Sequence, residues 1–157
     1  VPVIRRRAAR VLLLDGADRV LLLHGSDPAV PDDKWWITPG GGVEPGEDLE
    51  SAALRELAEE LGPFEVRLGP LVAYGTTAFS YQGQHFEQEQ WFHLARTSRT
   101  DLGLSRSGEE EHATLLGVRW WTLAELRATD EVVYPAGLAG LLEHLFTAGP
   151  PDQPVRL

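Results

Sequence analysis

Between Pro39 and Pro63 the chain passes from a proline and three glycines into a helical repeat that stops at Gly62-Pro63. Pro39-Gly40-Gly41-Gly42 is too glycine-rich for the interior of an element, so it reads as a loop whose backbone can approach another group closely. From about Glu47 to Leu61, Leu54, Leu57, Ala58 and Leu61 recur at i, i+3, i+4 and i+7, the pattern of one buried helical face. Gly62 suits a left-handed cap and Pro63 cannot continue the ladder. At about 100° per residue, Glu56, Glu59 and Glu60 point to the opposite side, with Glu56 in side-chain reach of both others.

The flanking segments read as strands followed by helices. Val11 to Leu14 and Val20 to Leu23 flank the turn Asp15-Gly16-Ala17-Asp18 and suggest a hairpin, and Trp35 to Thr38 suggests a short strand. Residues about 66 to 80 and 85 to 96 are rich in Val, Tyr, Thr, Phe and Trp and read as paired strands around Gln82-Gly83-Gln84. Gly117 to Thr122 is expected to be a last strand, Leu123 to Ala128 a short helix and Ala136 to Phe146 a longer one. There is no repeat or linker. A single α/β domain over residues 1–148, layered α/β/α, is expected, with 149–157 as a frayed, disordered tail after Gly149-Pro150-Pro151.

Three carboxylates on one helix patch repel one another by roughly 0.2–0.5 kcal/mol per exposed pair. Arg55 can offset one, whereas a divalent cation satisfies all three, and hard oxygen donors are what Mg²⁺ accepts. A solvated acidic face partnered by Arg55 is the other reading of the helix taken alone. The residues before it favour the metal. Gly41, five residues, Glu47, seven residues, then Arg55-Glu56-Leu57-Ala58-Glu59-Glu60-Leu61-Gly62 resembles the Nudix box, G-x5-E-x7-R-E-U-x-E-E-x-G-U with U a bulky aliphatic. Pro63 stands at the last aliphatic place, outside the helix and away from every proposed ligand.

The resemblance implies a Nudix-like α/β/α sandwich with a mixed β-sheet. It also implies an Mg²⁺-dependent hydrolase of a nucleoside diphosphate linked to another moiety, with Mn²⁺ as a substitute metal. Glu59 and Glu60 would be metal ligands, Glu56 a further ligand or the base for the attacking water, and the Gly40 carbonyl a backbone ligand. Arg55 would orient a neighbouring carboxylate, and Glu47 would support the Gly41 loop or simply complement the helix dipole. Members often add an acid from a later loop, a place that Glu110 or Glu111 of the run Glu109-Glu110-Glu111 would fill; a solvated loop is the other reading. Tyr81 resembles in place a tyrosine of dinucleoside polyphosphate hydrolases. Trp35, beside Trp36 and just before the glycines, is a candidate for base stacking as well as for the core.

The formal charge of −10 excludes a surface that attracts polyanions, so an anionic substrate needs local cations. A small-molecule nucleotide is the expected partner, with no nucleic-acid polymer and no membrane, and a homodimer is left open. Arg5-Arg6-Arg7 is either such a cation source or a solvated arm. Cysteine is absent, which removes thiolate chemistry and cysteine zinc sites. The five histidines show no close ligand spacing. No apolar run approaches the roughly 20 residues of a membrane span, and a cytoplasmic location is expected. A nucleotide-binding sensor without turnover and an acidic interaction domain are the competing functions.

Overall fold

A computed structural model describes residues 2–105 and 114–157. Glu110 and Glu111 lie outside the described residues. Among the described residues nine strands form one sheet: β1 Val3–Leu14, β2 Val20–Asp27, β3 Val30–Ile37, β4 Gly40–Gly42, β5 Arg67–Tyr81, β6 Gln84–Arg96, β7 Leu115–Trp121, β8 Val133–Tyr134 and β9 Val155–Arg156. The described helices are α1 Leu49–Leu61, α2 Leu123–Ala128 and α3 Leu138–Ala148. The principal strand order is β8-β3-β2-β1-β6-β5-β9, with β4 on β1 and β7 on β2. The sheet is mixed, because β1 runs parallel to β6 while β5 and β6 form the antiparallel hairpin that their composition predicts.

Alternation along β1 divides the core in two. Leu12 and Leu14 pack with Leu138, Leu141, Leu142 and Leu145 of α3. Ala9, Val11 and Leu13 pack with Ala52, Ala53, Leu57 and Leu61 of α1. Helices therefore cover the two faces, and the α/β/α layering holds. Thr122 caps α2 through a capping box with Glu125, and Asp48 caps α1 by accepting the Ser51 N–H at 2.7 Å.

Three expectations change. The β1–β2 hairpin is joined by one register pair, Leu14↔Val20, because the edge of β1 from Ala8 to Arg10 is taken by the glycine strand β4. The segment 149–157 is not a frayed tail throughout: Val155–Arg156 pairs with β5, and the Leu157 N–H donates to the Tyr74 carbonyl at 2.9 Å. The buried face of α1 is also rotated from the leucine stripe. Leu54 is 39% exposed and Ala58 is exposed, while Leu57 at 1%, Glu56 at 0% and Glu60 at 3% are buried. Two of the carboxylates are drawn inward beneath the glycine strand, which the apolar periodicity alone does not register.

Leu57→Ala should cost about 2–5 kcal/mol, the range for emptying a buried leucine site, and Leu54→Ala should cost less than about 1 kcal/mol. Urea unfolding of the two variants checks the rotation; equal losses would restore the leucine stripe as the buried face.

Candidate metal centre

The glycine strand can lie where it does only because it has no side chains. Gly40 has φ +135°, and a Cβ there would be driven into the Ala9 backbone. A Cβ on Gly41 would stand 2.6 Å from the Glu56 carboxyl group. That contact places the Glu56 carboxylate directly beneath the strand. The Gly40 N–H donates to Glu60 Oε1 at 2.9 Å, so both buried glutamates meet the same short segment.

Arg55 ties the outer side of the cluster together. Its Nε and Nη2 donate to the two oxygens of Glu47 at 2.8 and 2.9 Å, and Nη2 also reaches the Gly42 carbonyl at 2.8 Å. Nη1 donates to Glu56 Oε1 at 3.1 Å and to Glu59 Oε1 at 3.3 Å, so one nitrogen links two of the expected ligands. The bidentate pair, with the Glu44 N–H donating to Glu47 as well, holds the Glu47 carboxyl down at about 2. The Arg55 guanidinium is pushed above its usual range by Glu47, then by Glu56 and Glu59, against the opposing effect of burial.

Arg10 forms the inner side and was not singled out by motif. Its Nη1 donates to the Thr38 and Gly40 carbonyls at 3.2 and 3.0 Å. Burial pushes its guanidinium below the usual range, while the charges of Glu60 and Glu56 pull it back. The signal for it was present: one arginine inside the otherwise apolar run from Ala8 to Leu14. A buried cation in such a strand needs an anionic partner.

Carboxylates, backbone carbonyls and no thiolates are the donor set that suits Mg²⁺ or Mn²⁺. Glu59 Oε2 is buried and has no hydrogen-bond partner, an orphaned anionic oxygen that a cation would satisfy. The residues fit a divalent metal on those two grounds. Among the described residues no three acidic or imidazole groups form a ready-made cluster, since Arg55 now occupies the space between Glu56 and Glu59. The Gly40 carbonyl likewise already accepts from Arg10.

The aromatic candidates stand apart in role. Trp36 packs inward, stacked on His24 at 4.2 Å and edge-on to Trp121 at 5.2 Å, while the half-buried Trp35 lies over Gly25. The Tyr81 hydroxyl is engaged with Thr114 Oγ1 at 2.6 Å.

The fold and the box are shared with known proteins. The NUDIX domain family model matches residues 4–138. An RNA pyrophosphohydrolase of Roseobacter denitrificans is 32% identical over 132 residues, covering 77% of this chain and 79% of that protein. An RNA pyrophosphohydrolase of Dinoroseobacter shibae is 47% identical over 57 residues, and there the chain spans only 34% of the relative's length and the match 36% of this chain. The crystal structure of a MutT protein from Methanosarcina mazei Go1 superposes with a TM-score of 0.64 at 20% identity, over 93% of this chain and 96% of that one, and shows the shared fold. With a family match that runs from β1 to the start of α3 across the box and its glycine strand, this chain belongs to the Nudix family.

Proposed function

We propose that this chain is a pyrophosphohydrolase that cleaves a phosphoanhydride bond of a nucleotide derivative with water, using Mg²⁺ or Mn²⁺. The orphaned Glu59 Oε2, beside the two buried glutamates of the same helix turn, is the observation that carries the reading. Glu56, Glu59, Glu60 and the Gly40 carbonyl would hold the cation. When bound, it would neutralise phosphoryl charge and make water a better nucleophile near neutral pH.

The chain's own residues supply the rest. Glu56 is the assigned base: it would take a proton from the attacking water as the new P–O bond forms and the bridging P–O bond breaks. Its contacts with Gly41 and Arg55 fix where that carboxylate stands. Arg55, gripped by Glu47, keeps Glu56 and Glu59 in place. Arg10 would keep the Gly40 carbonyl oriented and offset the two buried carboxylates. The net charge of −10 favours a small substrate over a polymer. The relatives' name, RNA pyrophosphohydrolase, makes a 5′-triphosphorylated RNA a necessary member of any substrate panel. Among the described residues no helix is long and apolar enough to cross a membrane.

A panel of dinucleoside polyphosphates, ADP-ribose, nucleotide sugars, nucleoside triphosphates and 5′-triphosphorylated RNA should contain at least one member that is hydrolysed in Mg²⁺ and not in EDTA. Glu56→Gln should lower kcat on it by about 10²–10⁴, the usual worth of a general base. Tight binding without product, read by chromatography, would establish the sensor instead.

The Glu47–Arg55 clamp makes a pH prediction. Glu47 lies at about 2 in the folded chain against an ordinary value of 4.5, so its contribution to stability is complete above that ordinary value and is lost as pH falls towards the folded one. Thermal melts between about pH 5 and pH 2.5 should therefore fall more steeply for the parent than for Glu47→Gln. Parallel curves would show that the clamp does not hold Glu47 ionised.

A further inference from the structure

Arg55 meets more carboxylates than its N–H groups can serve. Its Nε and Nη2 are spent, at 2.9 Å or less, on Glu47 and the Gly42 carbonyl. Nη1 carries two N–H groups and has three carboxylate oxygens around it: Glu56 Oε1 at 3.1 Å, Glu59 Oε1 at 3.3 Å and Glu44 Oε1 at 3.8 Å. The two N–H groups answer Glu56 and Glu59, and Glu44 is left beyond hydrogen-bond length.

The local chain holds Glu44 in that place. The Glu47 N–H donates to the Glu44 carbonyl at 3.0 Å across Pro45-Gly46, with Gly46 at φ +79°, the pattern of a type II turn. The Glu44 N–H donates in return to Glu47 Oε1 at 3.0 Å. The Glu44 backbone is thus locked to the same residue that grips Arg55, while its side chain, 65% exposed, has room to close the remaining distance.

Glu56 and Glu59 are also two of the carboxylates assigned above to a divalent cation. Nη1 and that cation would compete for them, because two positive charges among the same oxygens repel. The guanidinium is anchored through its other edge, where its bonds are shorter, so the Nη1 side gives way first. A partly buried N–H that loses its acceptor needs another, and Glu44 is the remaining carboxylate beside it. We propose that Arg55 competes with the divalent cation for Glu56 and Glu59, and that Glu44 draws Nη1 aside, so that the Glu44–Arg55 pair sets how tightly the metal is held. Glu44 is a positioning residue in this scheme, acting through Arg55 and not as a ligand. Its role rests on the metal site proposed above and adds the residue that tunes that site's affinity.

The test is calorimetric titration with Mg²⁺, together with thermal melts in EDTA, of the parent, Glu44→Gln, Glu50→Gln, Arg55→Gln and the Glu44→Gln, Arg55→Gln double variant. Salt is held at about 0.15 M, where exposed charges beyond about 8 Å are largely screened. Glu44→Gln should raise the Kd for Mg²⁺ about three- to fivefold, the scale of a favourable, partly exposed ion pair. Its melt in EDTA should match the parent's, because Nη1 is then held by Glu56 and Glu59. Glu50→Gln removes an equal charge from an exposed place in the first turn of α1 and should leave the Kd unchanged. With Arg55→Gln in place, adding Glu44→Gln should change the Kd by less than about twofold, since a coupled pair is not additive. Should Arg55→Gln fail to fold, the comparison of Glu44→Gln with Glu50→Gln carries the test alone. Equal weakening by Glu50→Gln would mark a general charge effect and overturn the proposal. So would the full Glu44→Gln effect persisting beside Arg55→Gln, which would make Glu44 act on the metal directly. A parent that binds no Mg²⁺ would overturn the metal site and this pair with it, whereas Mg²⁺ binding indifferent to Glu44→Gln would overturn the pair alone.

Discussion

Two carboxylates with almost no solvent contact, Glu56 and Glu60, sit under a strand made only of glycine. Buried anions are tolerated only when paired and hydrogen-bonded, because the desolvation of each costs several kcal/mol. The surrounding structure answers that demand from both sides. Arg10 comes from β1 and Arg55 from the helix itself, while the Gly40 N–H caps Glu60. Removing one arginine would leave an uncompensated charge, which is more damaging than never having had the pair. The glycines follow from the same constraint, since a side chain at Gly41 would occupy the space of the Glu56 carboxylate.

The arrangement also bears on how an acidic chain would receive an anionic substrate. The overall charge repels phosphate at a distance, and the buried Arg10 is engaged with the Thr38 and Gly40 carbonyls and with the charges of Glu60 and Glu56, so neutralising an incoming phosphate would fall to the divalent cation. Within the run Arg5-Arg6-Arg7, Arg5 and Arg7 are turned to Glu87 and Trp91, and Arg6 to the opposite side of β1. A run that looks like a uniform basic arm is therefore sorted residue by residue by the period of the strand.

Much of this was legible beforehand because the box is a local signal. Gly41, Glu47, Arg55, Glu56, Glu59 and Glu60 stand at fixed spacing, and α1 starts and stops at the residues suited to its ends. The strands β5 and β6 were legible for the same reason: a hairpin is local in sequence. The parallel pairing of β1 with β6 was not, because it joins residues far apart in the chain and leaves no short-range trace. The rotation of α1 escaped the apolar pattern because that pattern assumes carboxylates face water, whereas here two are held inside by Arg10, Arg55 and a backbone N–H. Arg10 was missed although a lone charge among aliphatic residues marked it. The strand Val155–Arg156 follows a proline-rich stretch that read as a terminus without partners.

In the proposed metal site Glu59, through its orphaned oxygen, would complete the ligand set with Glu56 and Glu60. Thermal unfolding of the parent and Glu59→Gln in EDTA, in Mg²⁺ and in NaCl at matched ionic strength tests it directly. Ion at about ten times its Kd stabilises a native state by about 1.4 kcal/mol, which corresponds to a rise of about 3–6 °C for a chain of this size. The parent should show that rise in Mg²⁺ but not in NaCl, and Glu59→Gln a much smaller one, with a melt in EDTA no lower than the parent's. Equal Mg²⁺ shifts in the two proteins, or a parent shift that NaCl reproduces, would contradict it.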